Sequence, residues 1–133
     1  MIKPKEFNYY NPNPTGSEKT GDCVIRAFSG ALNISWDDCY KRFCDLGYEI
    51  KCMPNDRKCI ETFAKRNNFI KHIVSNKKGS KRGTVLEFCK KNKSKTYILN
   101  LAGHIVCAKD GKFHDTWNCG NKSLYGIWEL VPC

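Results

Sequence analysis

The dipeptide Asp110-Gly111, set between two runs rich in Ile, Val, Phe and Trp, constrains this chain more than any other feature. A two-residue hairpin turn needs φ > 0 at both central positions, and Asp-Gly is among the few pairs that accept this. It predicts a β-hairpin of residues 104–108 and 113–117. In that register Lys109 pairs with Lys112, Cys107 with His114, Val106 with Asp115 and His104 with Trp117. Paired residues share a face, as do alternate residues along a strand. His104, Val106, Asp115 and Trp117 therefore share one face, with His114 and Cys107 on the other. His104 and Asp115 are diagonal neighbours there, with Cβ atoms up to about 7–8 Å apart, a separation that a hydrogen bond between longer side chains spans.

The rest of the chain supports a sheet with helices ahead of it. Residues 96–101 and 125–131 are rich in Ile, Val, Tyr and Trp and read as strands, as do residues 69–75. Val24, Ala27, Phe28, Ala31 and Leu32 recur at helical spacing over residues 22–32, and Asn33 closes that helix. Ser35 is a cap for a second helix with Trp36, Tyr40, Phe43 and Leu46 on one face and Gly47 as its stop. Asn55 is a cap for a third, carrying Cys59, Ile60, Phe63 and Ala64, and residues 84–91 form a short fourth. Residues 1–20, with Asn-Pro-Asn-Pro, Thr-Gly and Ser, read as an irregular arm. The expected fold class is α+β, a mostly antiparallel C-terminal sheet packed by N-terminal helices, in one domain of residues 1–133.

Composition narrows the function classes. No apolar run is long enough to span a bilayer, and residues 1–10 lack the apolar core of a signal peptide, so no membrane partner and a cytoplasmic location are expected. The net charge of +10 concentrates in two loop-like stretches, residues 77–82 and 90–95. Neither interleaves aromatics as a base-stacking surface does, so a nucleic-acid partner is not favoured; an acidic substrate or partner suits the same field. Nine cysteines without Cys-x-x-Cys spacing read as free thiols rather than disulfides or a metal site. No metal or cofactor is expected.

One cysteine stands apart. Gly21-Asp22-Cys23 begins the first helix, where unpaired N–H groups and the positive end of the helix dipole favour a thiolate. The same N–H groups suit an oxyanion formed when sulfur attacks a carbonyl. Asp22 works against the thiolate, since a neighbouring carboxylate raises a thiol's pKa, and a base beside the sulfur then matters more. His104, oriented by Asp115, is the candidate base. His114 faces the other way, and His72 has no acidic neighbour in sequence.

Gly21-Asp22-Cys23 at a helix start, Gly103-His104-Ile105-Val106 on a strand and Asp115-Thr116-Trp117 on the next resemble the papain-like cysteine peptidases. That superfamily runs Cys, His, then Asn or Asp, and its third motif is often Asn-Ser-Trp. The segment Gly21-Asp22-Cys23-Val24-Ile25-Arg26-Ala27 also resembles the Gly-Asn-Cys-Leu-Phe-Arg-Ala segment of ovarian-tumour-type deubiquitinases. The small size is similar to bacteriocin-processing and other bacterial or phage-encoded papain-like domains. The resemblance implies a papain-like fold and a cysteine hydrolase, a peptidase or isopeptidase acting on a peptide or protein. Cys23 is then the nucleophile, His104 the base, Asp115 its orienting partner, and Trp117 a shield for the His104–Asp115 bond. Ser17 and Thr20 stand where those two families carry Gln and Asp. The implied oxyanion hole therefore rests on the Cys23 N–H with a group from the arm: Thr20, Asn11 or Asn13. An acyltransferase on the same triad and a catalytically silent binding protein are the alternatives.

Overall fold

The computed structural model describes residues 3–74 and 82–132. Among these, α1 (Cys23–Leu32), α2 (Trp36–Ile50), α3 (Arg57–Arg66) and α4 (Val85–Lys91) accompany a six-stranded sheet. The strands are β1 (Phe7–Tyr9), β2 (Phe69–His72), β3 (Thr96–Leu101), β4 (His104–Lys109), β5 (Lys112–Asp115) and β6 (Gly126–Leu130). Their spatial order is β1-β5-β4-β3-β6-β2. Every pairing is antiparallel except β1 with β5, which is parallel. The architecture is α+β.

The hairpin forms in the expected register. Asp110 and Gly111 take φ 55° and 76°, and Lys109 faces Lys112 while Cys107 faces His114. The second strand ends early, however: β5 stops at Asp115, and Trp117 lies beyond it. Asp115 Oδ1 accepts the Thr116 N–H at 2.7 Å, a local bond that competes with the ladder and turns the chain away.

Helices α1, α2 and α3 cover one face of the sheet. Phe28 is fully buried at the centre of that layer, with ring centroids 5.4, 5.1 and 5.4 Å from Phe43, Phe63 and Phe69. Ile98, Ile105, Cys107 and Trp128 supply the sheet side of this core. The opposite face packs Tyr97, Leu99, Val106 and Phe113 under α4, Cys119 and Leu124. Alternation along β4 thus splits Ile105 and Cys107 from Val106 and Ala108 between the two layers.

Several local expectations are corrected. The arm of residues 1–20 is not irregular throughout, since Phe7–Tyr9 pairs with Phe113, His114 and Asp115. Gly47 does not stop α2, which runs on to Ile50 with Lys51 taking the left-handed position at φ 60°. Gly47 is instead needed for a close approach, because a Cβ there would lie 2.6 Å from the Cys52 carbonyl oxygen. Asp56, not Asn55, precedes α3 as its N-cap residue. Asn33 closes α1 and Ser35 caps the start of α2 as expected, with Ser35 Oγ accepting the Asp38 N–H at 3.0 Å. Of the two basic stretches, residues 77–81 lie outside the described residues, as does Ser75. The other is not all loop: Lys90 and Lys91 form the last turn of α4, where cations favour the helix dipole.

Candidate active site

α1 packs along β4, so its N-terminus meets the end of the sheet where β4 begins and β5 finishes. This brings Cys23, His104 and Asp115 together across more than 80 residues of chain. Asp115 Oδ2 lies 2.5 Å from His104 Nε2, and Asp115 is 1% exposed. Because Nε2 is held by the carboxylate, Nδ1 is the nitrogen left to face Cys23. The Trp117 ring lies against the imidazole, with centroids 4.9 Å apart, although it reaches there from beyond the strand.

The electrostatics separate Cys23 from its fellow cysteines. Burial alone raises its pKa, but the His104 side chain, the Ile105 N–H and the Arg26 charge outweigh burial and lower it. For His104, burial favours the neutral ring, yet the hydrogen bond to Asp115 and the nearby Cys119 and Cys23 side chains prevail and raise its pKa to about 11. Asp115 is resisted by burial and stabilised by His104, the Thr116 N–H and Arg26, so that its pKa falls. These shifts share one direction: thiolate, imidazolium and carboxylate in a row.

Behind the row stands a buried network. Arg26, one turn into α1, places Nη1 2.5 Å from Asp22 Oδ1 and Nη2 3.2 Å from Asp115 Oδ1. Asp22 Oδ2 also accepts from Trp36 Nε1 at 2.7 Å and from Asn13 Nδ2 at 3.3 Å. The expected opposition of Asp22 to the thiolate is thus answered by Arg26, Trp36 and Asn13. Asp22 makes no side-chain cap to α1, so its carboxylate does not occupy the N–H groups of the first turn. Two buried carboxylates share one arginine, and the raised pKa of His104 favours a second cation beside Asp115.

Cys23 and His104 line a groove of about 530 Å³ together with Glu18, Gly103, Ile105 and Trp117. Thr20 does not line it. Its hydroxyl accepts from Asn13 at 3.4 Å, and it borders a neighbouring pocket with Trp36, Tyr40 and Met53. The Asn11 amide is committed to the Gly16 and Ser17 carbonyls, and the Asn13 amide to Thr20 and Asp22. None of these three side chains lines the Cys23 groove, whereas the start of α1 does. His72 pairs with Glu129 at 3.0 Å on the far edge of the sheet, and His114 with Asn8 at 2.9 Å.

Comparison with known proteins gives no match. No family model matches the chain, and no curated protein or solved structure matches it significantly.

Sequence reasoning missed Cys119 and the part played by Arg26. Cys119 is fully buried and directs its Sγ to Asp115 Oδ2 at 3.4 Å. Its donor atom and those of His104 and Asp115 lie within 4.8 Å of one another, which raises the possibility of a metal site. A zinc ion bound tetrahedrally by nitrogen and oxygen holds them about 3.3 Å apart, given bonds of ~2.0–2.2 Å. The 2.5 Å contact between His104 Nε2 and Asp115 Oδ2 is that of a direct hydrogen bond, so these residues as placed do not fit an ion. No sequence spacing pointed to Cys119. Arg26 was legible as an i, i+4 partner of Asp22, but not as a partner of Asp115.

Proposed function

We propose that the chain is a papain-like cysteine hydrolase, a cytoplasmic peptidase or isopeptidase that works through a thioester acyl-enzyme. The observation that carries this is a half-buried thiol at a helix start that lines one groove with an imidazole whose Nε2 is held by a buried carboxylate. That arrangement suits nucleophilic attack on a carbonyl carbon.

The Cys23 thiolate adds to the carbonyl carbon of an amide, and the oxygen becomes an oxyanion facing the uncapped N–H groups at the start of α1. The C–N bond breaks as the His104 imidazolium gives its proton to the leaving amine. The acyl group remains on sulfur as a thioester. Neutral His104 then takes a proton from water, whose oxygen attacks the thioester; the C–S bond breaks, and the acid leaves with thiolate and imidazolium restored. An amine in place of water gives acyl transfer, so incorporation of an amine against release of acid separates the two outcomes in one assay. Asp115 holds the ring and balances its charge, Trp117 keeps water from their bond, and Arg26 holds Asp115.

The test uses the reactivity of the sulfur. Iodoacetamide at neutral pH should alkylate Cys23 faster than the other cysteines, as read by mass spectrometry of the digested protein. Cys23→Ala should retain the fold and lower peptide hydrolysis by ~10⁴-fold or more, as losses of catalytic nucleophiles do. Uniformly slow alkylation of every thiol, or full hydrolysis by Cys23→Ala, overturns the proposal and leaves a binding protein of similar shape.

A further inference from the structure

Gly21 and Val24 lie on either side of Cys23 in the chain, and each lines two cavities: the groove shared with His104 and a second one of about 310 Å³. Among the described residues, the second cavity is built from the arm, α1, α2 and the α2–α3 connection, with nothing from the sheet. Val24, Ile25, Trp36, Tyr40, Met53 and Pro54 form its apolar walls. Asp22 is the charged residue among them, and its carboxylate is already spent. Oδ1 meets Arg26, while Oδ2 accepts from Trp36 Nε1 at 2.7 Å and from Asn13 Nδ2 at 3.3 Å. At 6% exposed, Asp22 offers no free charge to a ligand.

The walls are held in place. The Trp36 indole is tied to Asp22 and stacks at a tilt on Tyr40, with centroids 5.0 Å apart. The Met53 N–H donates to Asp56 Oδ2 at 3.1 Å, and the Asp56 N–H returns to the Met53 carbonyl at 3.0 Å. Tyr40 and Met53 are nonetheless 45% and 65% exposed, so two large apolar side chains meet water at one opening. The cavity is at the small end of ligand pockets, which run ~300–1,000 Å³, and suits one side chain better than a whole ligand. A Cβ at Gly21 would meet nothing within 4 Å, so no side chain of that residue stands between the two cavities. The leaving amine must lie against His104, which protonates it, and His104 lines the first cavity but not the second. The acyl half of a substrate therefore runs toward the second. We propose that this cavity is a specificity subsite, seating one large apolar side chain (Leu, Met or Phe) from the acyl half of a peptide substrate. The subsite rests on the cysteine-hydrolase reading above.

The probe is a pool of internally quenched octapeptides of mixed sequence, with cleavage positions read by mass spectrometry and iodoacetamide alkylation of Cys23 measured alongside. The expected result is enrichment of Leu, Met or Phe at one fixed position N-terminal to the cleaved bond. A matched peptide with Ala there should be cut about tenfold more slowly or worse. That difference should persist at 1 M salt, where a preference resting on charge would be screened. Tyr40→Ala combined with Met53→Ala should lose the preference. Met53→Glu places a carboxylate at the opening and should turn the preference toward Lys or Arg at the same position. As a single change at an exposed residue, it serves if the double variant does not fold.

Cleavage without an apolar preference on the acyl side, or with one that these variants leave intact, overturns the subsite while the nucleophile stands. Rapid alkylation of Cys23 without cleavage of any peptide rules out a peptide substrate, and the subsite with it. Absence of both removes the hydrolase reading itself. Self-association that the double variant abolishes, unaccompanied by an apolar preference, places a second copy of the chain over Tyr40 and Met53 and overturns the proposal.

Discussion

α1 and β4 run side by side, and a cysteine lies at each end of their contact. Cys23 stands at the N-terminal end, beside His104 and Ile105; Cys107 stands further along β4, its Cβ 3.7 Å from where a Cβ on Gly30 would sit. Burial pushes both thiols up. At Cys107 little opposes it: the pKa goes up to about 12, with Lys109 too weak to offset the loss of water. At Cys23 an imidazolium, a backbone N–H and the Arg26 charge turn the same burial into a net fall. Cys39 and Cys89, pushed up to about 12 by burial, resemble Cys107. The pKa of a buried thiol in this chain thus depends on which charges stand around it.

The strongest way to break the contrast is to remove the charge that organises one end. Arg26→Met keeps much of the apolar stem but leaves Asp22 and Asp115 as buried carboxylates without their shared cation. A loss of about 3–5 kcal/mol is expected, read as a shift of the denaturant midpoint. A loss below about 1 kcal/mol would show that Arg26 is not what balances the two acids.

Asp115 sharpens the same contrast through pH. In the parent protein the alkylation rate of Cys23 should stay high as pH falls below the ordinary thiol range, declining only through the depressed pKa. Asp115→Asn keeps a hydrogen-bond partner for the ring but removes one buried negative charge, and with it the demand for a proton on His104. His104 should then titrate nearer its ordinary 6.5, and the alkylation profile should move to higher pH. Asp115→Ala should shift it at least as far and also lose ring orientation, so that hydrolysis falls further than in Asp115→Asn. Equal losses of hydrolysis in the two variants would remove the orienting role. Stability follows the signs of the shifts. The His104 contribution is full below about 6.5 and lost as pH rises through about 11; that of Asp115 is present above 3.8 and lost as pH falls through its lowered value.

The legible parts of this molecule are those where local chemistry decides. Asp110-Gly111 set a turn, the turn set the register, and the register put His104 and Asp115 on one face before any side chain was placed. Ser35, Asn33 and the helical spacing of Val24, Ala27, Phe28 and Ala31 were legible for the same reason. The missing parts depend on distant partners. β1 is only three residues long and pairs in parallel with β5, more than 100 residues away. Arg26 reveals one carboxylate by i, i+4 spacing, while the other arrives from β5. Gly47 carried the signal of a helix stop, but its small size answers a backbone oxygen across the α2–α3 connection.

The smallest expected effect tests the quiet end of the contact. Cys107→Ala removes one sulfur from a fully buried site between α1 and β4, a loss smaller than a methylene-rich truncation, and should cost about 1 kcal/mol. Its decisive readout is kinetic, since the alkylation rate of Cys23 and its pH profile should not move. Burial is common to both thiols, so a variant that alters packing at Cys107 without altering charge at His104 isolates the two contributions. A matching change at Cys23 would mean that the tightness of the α1–β4 contact, and not the charges at its end, governs the thiol.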